Sequence, residues 1–390
     1  MSEAGPETDR HGTAGGPLAG VRVIELAGLG PCPFAAMILA EMGADVIRVD
    51  RPSRGFLELA GPGSDLLGRG KRSVLLDLKR PESVRALLDL AATADVFLEG
   101  FRPGVAERLA LGPEDLWARN PRLVYGRMTG WGQSGPVAGT AGHDLTYIAP
   151  TGALHAIGDA GGPPQIPLNV VGDIGGGATY LVMGVLAALW EAKSSGRGQV
   201  VDAAIIDGTA HMLAIVHSLL AEERWTDQRG VNLIDGGAPF YSVYRTAEGR
   251  YMAVGALERP FFAAFVRLLG VEVEPATQYD RTRWDEMRTT IAAAFATRTQ
   301  EEWTGIFAGS DACVAPVLSL REAGGYAQLA DRRTLVEVDG VLQAMPAPRF
   351  SRHPPTMPAG APEPGQHTEE VLAEIGRSDE QIGFRVPEGR

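Results

Sequence analysis

Apolar residues fall into two rhythms along the first half of this chain. Short dense runs, VRVIEL (21–26), DVIRVD (45–50), SVLLDL (73–78), DVFLE (95–99) and LVYGRMT (123–129), read as strands. Between them FAAMILAEM (34–42), the stretch 82–92 and a segment near 114–120 read as helices. Strands alternating with short helices predict an α/β fold, a parallel sheet with helices on its faces. Beyond Asp173 the pattern predicts two long apolar helices, roughly 177–193 and 207–222.

The texture changes from about Asp235. YSVYRTAEGRYMAVGA (241–256) predicts two strands around a Glu248-Gly249 turn. Short helices follow near 260–269, 284–296 and 301–307, so this region reads as a smaller α+β domain. The end, from Pro346, is rich in proline and carries a helix near 368–375. The organisation expected is a disordered tail over 1–16, a large domain over 17–225 and a small one over 226–335. Residues 336–390 would form a return segment packing on the large domain. One stretch, 174–190, carries no charge over 17 residues. It is at the short limit for a membrane span and lies among α/β segments, so a core helix is expected and no membrane partner.

Composition narrows the function. With 36 Lys+Arg against 48 Asp+Glu the chain carries a formal charge of −12, which disfavours nucleic acid as a partner. Its 2 cysteines are too few for a disulfide framework or a thiolate cluster, and the polar first sixteen residues lack a signal-peptide core. A cytoplasmic protein is expected. Glycine (50) and proline (27) are abundant without low-complexity runs, which points to many turns and backbone-lined sites.

The acid is unevenly spread. Residues 41–110 hold eleven basic and eleven acidic residues, so the remainder carries the whole net charge. The bases are grouped as Arg48, Arg51 and Arg54, then Arg69, Lys71 and Arg72, then Lys79 and Arg80, then Arg102 and Arg108. Several follow strand ends, where open α/β sheets place ligands. Solvated surface charge and a pocket gripping a phosphorylated ligand both account for them.

Gly28-Leu29-Gly30 after the first strand, with Asp50 ending the second, resembles a dinucleotide fingerprint. Its third glycine position is Pro33, and Pro31 removes a further N–H that a phosphate would use. A βαβ turn with a coincidental GxG is therefore expected, and no nicotinamide.

Of seven histidines, His211 and His217 are six apart on an apolar stretch, which fits core packing. No metal-ligand spacing appears, and no metal is expected. His143 stands apart in Ala-Gly-His-Asp (141–144), after the glycine-rich MTGWGQSGP (128–136). Asp173, in Val-Gly-Asp-Ile-Gly-Gly-Gly (171–177), reads as an N-cap of the apolar helix, a placement that also offers backbone N–H groups to a developing oxyanion. Glu258, in Ala-Leu-Glu-Arg-Pro (256–260), reads as surface on its own.

Together with LAGLGPCPFAAMILAEMGADVIRVDRP (26–52), EGFRPGVAERL (99–109), RMTGWGQSGP (127–136) and GRGQVVDAAIIDG (196–208), these sites resemble the α-methylacyl-CoA racemases of the class III CoA-transferase superfamily. The resemblance runs from about Pro17 to about Ser351. It implies a Rossmann-like large domain and an interlocked homodimer, in which the smaller domain contributes to the active site across the dimer. It implies CoA contacts at Arg51, Leu76, Asp77, Leu78, Lys79, Gly100, Phe101, Arg102 and Arg108, and in the loop of Gly142, Asp144, Leu145, Thr146 and Tyr147. The stretch 55–70 matches no pattern of the family with assurance.

The superfamily's transferases use an Asp at the position of Asp173 as a nucleophile and lack the histidine. The racemases pair Gly-His-Asp with a Glu matching Glu258, as here. The resemblance therefore implies epimerisation of 2-methylacyl-CoA thioesters, with His143 acting on the S substrate, Asp173 on the R, and Glu258 supporting the histidine. Removal and return of an α-proton needs two acid–base groups and an enolate-binding site, and no cofactor beyond the CoA of the substrate. The expected oxyanion donors are N–H groups near Asp173 and Gly175–Gly177. The alternative is a class III CoA-transferase acting through an aspartyl-CoA thioester on Asp173. A non-catalytic acyl-CoA binding protein and a nicotinamide oxidoreductase are weaker readings.

Overall fold

The computed structural model describes residues 15–52 and 64–382. The expectations for Arg54, for most of 55–70 and for the tail up to residue 14 lie outside them. The described chain divides into two compact units. The first takes the residues up to Thr151, Leu168–Met212 and those from Arg333 onward; the second takes Gly152–Pro167 and Leu213–Arg332. Residues 152–167 and 213–225, grouped by sequence with the large domain, thus cluster with the second unit.

The first unit is built on a six-stranded parallel sheet. In chain order it contains β1 (Arg22–Leu26), α1 (Pro31–Glu41), β2 (Asp45–Asp50), β3 (Arg72–Leu75), α2 (Pro81–Ala91), β4 (Val96–Glu99), α3 (Val105–Arg108), α4 (Pro113–Trp117), β5 (Val124–Thr129) and α5 (Asp144–Ile148). After α6 (Ala153–Ala156), which belongs to the second unit, a π-helical segment (Val170–Ala178) runs straight into α7 (Thr179–Ser195). β6 (Val200–Ala204) and α8 (Ile205–Met212) complete this part. The strand order is β3-β2-β1-β4-β5-β6, so the chain reverses direction across the sheet between β1 and β4. Ligands of open α/β sheets bind outside the carboxyl ends of the strands at such a switch point.

Both faces of the sheet are covered, which is why its strands read as continuous apolar runs. Val23, Val46, Leu98 and Val124 pack against α1 and α7, and Ile24, Ile47, Phe97 and Tyr125 form the opposite core with α2. Each fully buried Val, Ile or Leu contributes about 1.5–3 kcal/mol. The uncharged helix expected over 174–190 is one continuous apolar helix over Val170–Ser195, long enough by length and composition to span a membrane. Its Leu181, Val182, Val185, Ala188 and Ala192 face the core, while Met183 and Trp190 are exposed. It is a core helix along one face only.

The second unit holds α9 (Ala214–Ala221), β7 (Tyr241–Arg245), β8 (Tyr251–Gly255), α10 (Arg259–Leu269), α11 (Trp284–Phe295), α12 (Gln300–Phe307), β9 (Val314–Pro316) and α13 (Ala327–Asp331). β7 and β8 form the expected hairpin, and β9 adds antiparallel to β8. An aromatic core of Phe240, Phe262, Phe265, Phe295 and Trp303 fills this unit. The single helix expected over 207–222 is broken at Leu213 into α8 and α9. His211 and His217 are therefore on two helices, and both are exposed rather than core residues.

The return segment re-enters the first unit with a hairpin, β10 (Leu335–Val338) and β11 (Val341–Ala344), and ends in α14 (Thr368–Glu374). It covers the free edge of β3. The Ser73 N–H donates to His367 Nδ1 at 3.1 Å, the Leu75 N–H to Thr368 Oγ1 at 3.0 Å, and the His367 N–H to the Ser73 carbonyl at 2.9 Å. An edge strand satisfied in this way offers no template for another chain.

Candidate active site

The loops after β1, β2, β3, β4 and β5 all open at the carboxyl edge of the sheet, and almost every residue singled out by sequence in the first unit sits on them. Arg51 follows β2, Leu76 to Lys79 follow β3, and Gly100 to Arg102 follow β4. Arg51, Lys79, Arg102 and Arg108 are exposed. Leu76 is buried, with its backbone N–H on the Asp50 carbonyl. Asp77 folds back on its own loop, where Oδ1 accepts from the Lys79 N–H at 3.1 Å.

The basic groups separate into two kinds. Arg48 pairs with Asp50 at 2.8 Å, Arg69 with Glu41, Lys71 with Glu25 at 2.6 Å, and Arg72 with Asp45 at 2.6 Å and Glu374 at 2.6 Å. These four are held in the interior by carboxylates, as burial of a charge demands. They are structural, and among the described bases of 41–110 the exposed ones are those available to an anion.

His143 is the N-cap residue of α5, with extended backbone (φ −138°, ψ 170°) and its N–H on Thr146 Oγ1 at 2.9 Å. Its imidazole is exposed and makes no hydrogen bond within the described residues. Asp144, the next residue, is buried, and its Oδ1 accepts the Asp173 N–H at 2.6 Å. Asp144 Oδ2 is buried without a partner among the described residues.

Asp173 is not an N-cap. It lies inside the π-helical segment, whose N-cap is Asn169. In a π-helix each N–H reaches back five residues, as the Ile174 N–H does to the Asn169 carbonyl at 3.2 Å. The N–H groups of Gly175–Gly177 are thereby used in the helix, and that of Asp173 by Asp144, so neither set is free for an oxyanion. The glycine run serves packing instead. A Cβ on Gly208 would stand 1.9 Å from the Gly176 carbonyl oxygen, and one on Gly176 would stand 2.4 Å from Thr209 Oγ1. Free donors occur in the first turn of α5, where the Asp144 and Leu145 N–H groups precede the helical ladder.

The carboxylate of Asp173 is half-buried, accepts from Asn169 Nδ2 at 3.3 Å, and lies close enough to His143, Asp144 and Tyr147 for their charges to act on one another. Burial pushes its pKa above the usual aspartate value and Asp144 adds to the rise; Asn169 and His143 oppose it. Two further residues shape the place. Gly30, at the start of α1 with φ 74°, leaves room for Asp173, since a Cβ there would lie 3.3 Å from Oδ2. The Tyr147 ring lies over Gly130 and Gly142, where Cβ atoms would come within 2.0 Å and 2.4 Å of it, and meets Trp131 edge-on at 4.9 Å. Gly30, Asn169 and Trp131 escaped sequence reasoning as site residues; Gly30 and Trp131 lie within motifs that carry the family resemblance, with no role of their own there.

Glu258 lies in the second unit as the N-cap residue of α10, exposed and with no side-chain cap. Among the described residues no group of three or more His, Cys, Asp or Glu is arranged to hold a metal.

This arrangement, two acid–base groups beside free helix-terminal N–H groups at the carboxyl edge of an α/β sheet, suits proton transfer at a carbon next to a carbonyl. A model of the family described as CoA-transferase family III matches residues 18–368. The chain is 45% identical to the α-methylacyl-CoA racemase of Mus musculus over 370 residues, 94% of this chain and 95% of that one. It is 42% identical to the human protein of the same name, again over 94% and 95% of the two chains. A crystal structure of a Mycobacterium tuberculosis protein superposes with a TM-score of 0.75 at 27% identity, covering 91% of this chain and 99% of that one.

Proposed function

This chain belongs to CoA-transferase family III, and from that premise we infer that it is an isomerase that interconverts the (R) and (S) forms of 2-methylacyl-CoA thioesters. The observation that carries the reading is an exposed His143 within electrostatic reach of a half-buried Asp173 whose proton affinity is raised. A hydrogen next to a thioester is weakly acidic, so each direction needs a base on one face and an acid on the other.

Starting from one epimer, the neutral imidazole of His143 removes the α-proton. The electron pair moves onto the thioester oxygen to form an enolate, and protonated Asp173 returns a proton to the opposite face. Starting from the other epimer the roles reverse. The raised pKa of Asp173 keeps its protonated form accessible and strengthens its carboxylate as a base. The N–H groups of Asp144 and Leu145, adjoining His143, would take the enolate oxygen. Nothing in this sequence of steps requires a redox group or a metal.

The exposed Arg51, Lys79, Arg102 and Arg108 support CoA binding along the same edge, with phosphates drawn to bases that no interior carboxylate claims. Backbone from 76–78 and 100–101 and the loop 142–147 would line the rest of the ligand. We assign Glu258 to the orientation of the His143 ring and its charged form across an interlocked homodimer, in a cytoplasmic enzyme. An exposed Glu258 whose side chain makes no hydrogen bond among the described residues supports this.

The test is direct. A single epimer of a 2-methylacyl-CoA is incubated in D₂O without an acceptor acid, and the α-proton is followed by NMR. Deuterium uptake with epimerisation is expected, and its absence across several acyl chains overturns the reading. Transfer of CoA to a free acid, with hydroxylamine trapping on Asp173, would replace it with the transferase.

A further inference from the structure

Two segments flank the carboxyl edge of the sheet, GFRPGVAER after β4 and GWGQ after β5, and one side chain ties them together. Arg127, on β5, is 9% exposed. Its Nε faces Glu99 Oε1 at 3.6 Å, at the end of β4. One guanidinium NH₂ group donates to Glu107 on α3, and the other to Gln133 Oε1 at 3.1 Å, in the loop after β5. Its guanidinium carbon lies 5.0 Å above the centre of the Tyr125 ring. Glu99 in turn accepts the Phe101 N–H through Oε2 at 2.6 Å, which fixes the turn leading to Arg102.

We propose that Arg127 is a positioning residue that couples the loop over 100–108 to the loop over 130–136, and through them sets the CoA-binding edge. The inference rests on the CoA contacts assigned above to Gly100, Phe101, Arg102 and Arg108. Its physical basis is geometric. A planar fork can engage partners on three elements at once in one orientation, which a lysine cannot reproduce. The second loop continues into the reaction centre, because Gly130 lies under the Tyr147 ring and Trp131 packs edge-on against it. Glu99, Arg127 and Asp202 stand on neighbouring strands, Glu99 beside Arg127 and Arg127 beside Asp202 in register. Arg127 is thus a cation that acts on Glu99, Glu107 and Asp202 together, and its loss would remove the charge that all three carboxylates face.

The test compares Arg127→Met, Arg127→Lys, Glu107→Gln and Gln133→Ala with the unaltered protein. The readouts are backbone amide hydrogen exchange over 100–108 and 130–136, calorimetric binding of CoA alone, and the split between KM and kcat. Arg127→Met is expected to speed exchange in both loops and to weaken CoA binding and raise KM by about tenfold or more, the scale of one lost charge-assisted hydrogen bond, with kcat within about threefold. Arg127→Lys keeps the charge without the fork and should recover only part of the loss. Glu107→Gln lies at a half-exposed side chain and Gln133→Ala in a loop, so both keep the test decisive where Arg127→Met does not fold. Each is expected to weaken CoA binding and loosen its own loop. Unchanged exchange and CoA affinity in these variants, or a fall in kcat at constant KM, overturns the proposal. Loop exchange and CoA binding are read without turnover, so a failure of the racemase assignment leaves this result standing by itself.

Discussion

Gly30 and Asp173 come so close that a Cβ on Gly30 would sit 3.3 Å from the carboxylate oxygen Oδ2. The contact joins the turn after β1 to the π-helical segment, at the place where the sheet changes direction. Gly30 also holds φ 74°, ψ −125°, a backbone conformation that residues with a side chain rarely adopt. Gly30→Ala therefore presses on the carboxylate and strains the turn together. The expected outcome is a loss of about 1–3 kcal/mol in thermal unfolding and a fall in kcat/KM of at least about tenfold, measured on one epimer of a 2-methylacyl-CoA. Unaltered turnover would remove Gly30 from the support of Asp173.

Burial does most to raise the proton affinity of Asp173, and its neighbours then pull in opposite directions. Asp144 raises it and Asn169 lowers it. Asp144→Asn keeps a side-chain oxygen for the Asp173 N–H while removing the negative charge, so the pKa of Asp173 falls. Asn169→Ala removes the hydrogen bond to Oδ2, so the pKa rises. The acidic limb of the pH profile of kcat/KM is expected to move to lower pH in Asp144→Asn and to higher pH in Asn169→Ala. Both directions of the reaction move together, because their kcat/KM ratio is tied to the equilibrium constant. Shifts of the same sign in the two variants would assign that limb to another group.

Strands β1 to β5 of the first unit were legible because each is a compact apolar run between turns, and β2 falls on the expected 45–50. β6 was passed over because VVDAA is short and carries Asp202, and β9 because three residues leave no period to read. The helix expected over 207–222 lost its continuity at Leu213, where the composition shows no breaker. At the site, His143 was legible from its place in a glycine-rich loop, whereas the role of Asp173 as an N-cap was misread. A π-helical segment differs from an α-helix by one residue in its hydrogen-bond spacing, and a glycine run has no side-chain pattern to reveal that. The basic groups were ambiguous for another reason. Whether a base is free depends on a carboxylate far along the chain, as with Lys71 and Glu25, 46 residues apart.

That pair provides a stability test. Lys71 and Glu25 are fully buried side chains, and Lys71 Nζ also donates to the Pro33 carbonyl at 3.0 Å, in the first turn of α1. Burial raises the pKa of Glu25 and Lys71 restrains the rise. Lys71→Met strands Glu25 in the core and is expected to cost about 3–5 kcal/mol by denaturant unfolding. The double variant Lys71→Met with Glu25→Leu removes both charges and should regain most of that loss. A double variant as unstable as the single one would show that the Lys71 contact with α1, rather than the charge balance, holds this part of the core.

Glu99 links stability to pH. Its carboxyl is buried at the end of β4 and its pKa is pushed up to about 7, chiefly by burial, against an unperturbed value of 4.5; the Phe101 N–H and Arg127 act against the rise. Between those two values the folded state binds a proton that the unfolded state has released, so stability falls as pH rises through that window. Glu99→Gln keeps an acceptor for the Phe101 N–H and abolishes the titration. The variant is expected to match the unaltered protein near pH 4.5 and to exceed it by on the order of 1–3 kcal/mol at pH 8, read from thermal unfolding at a series of pH values. A constant difference across the series would mean that Glu99 keeps one protonation state throughout. In that case its contribution to the turn at Gly100 is that of a fixed hydrogen-bond acceptor.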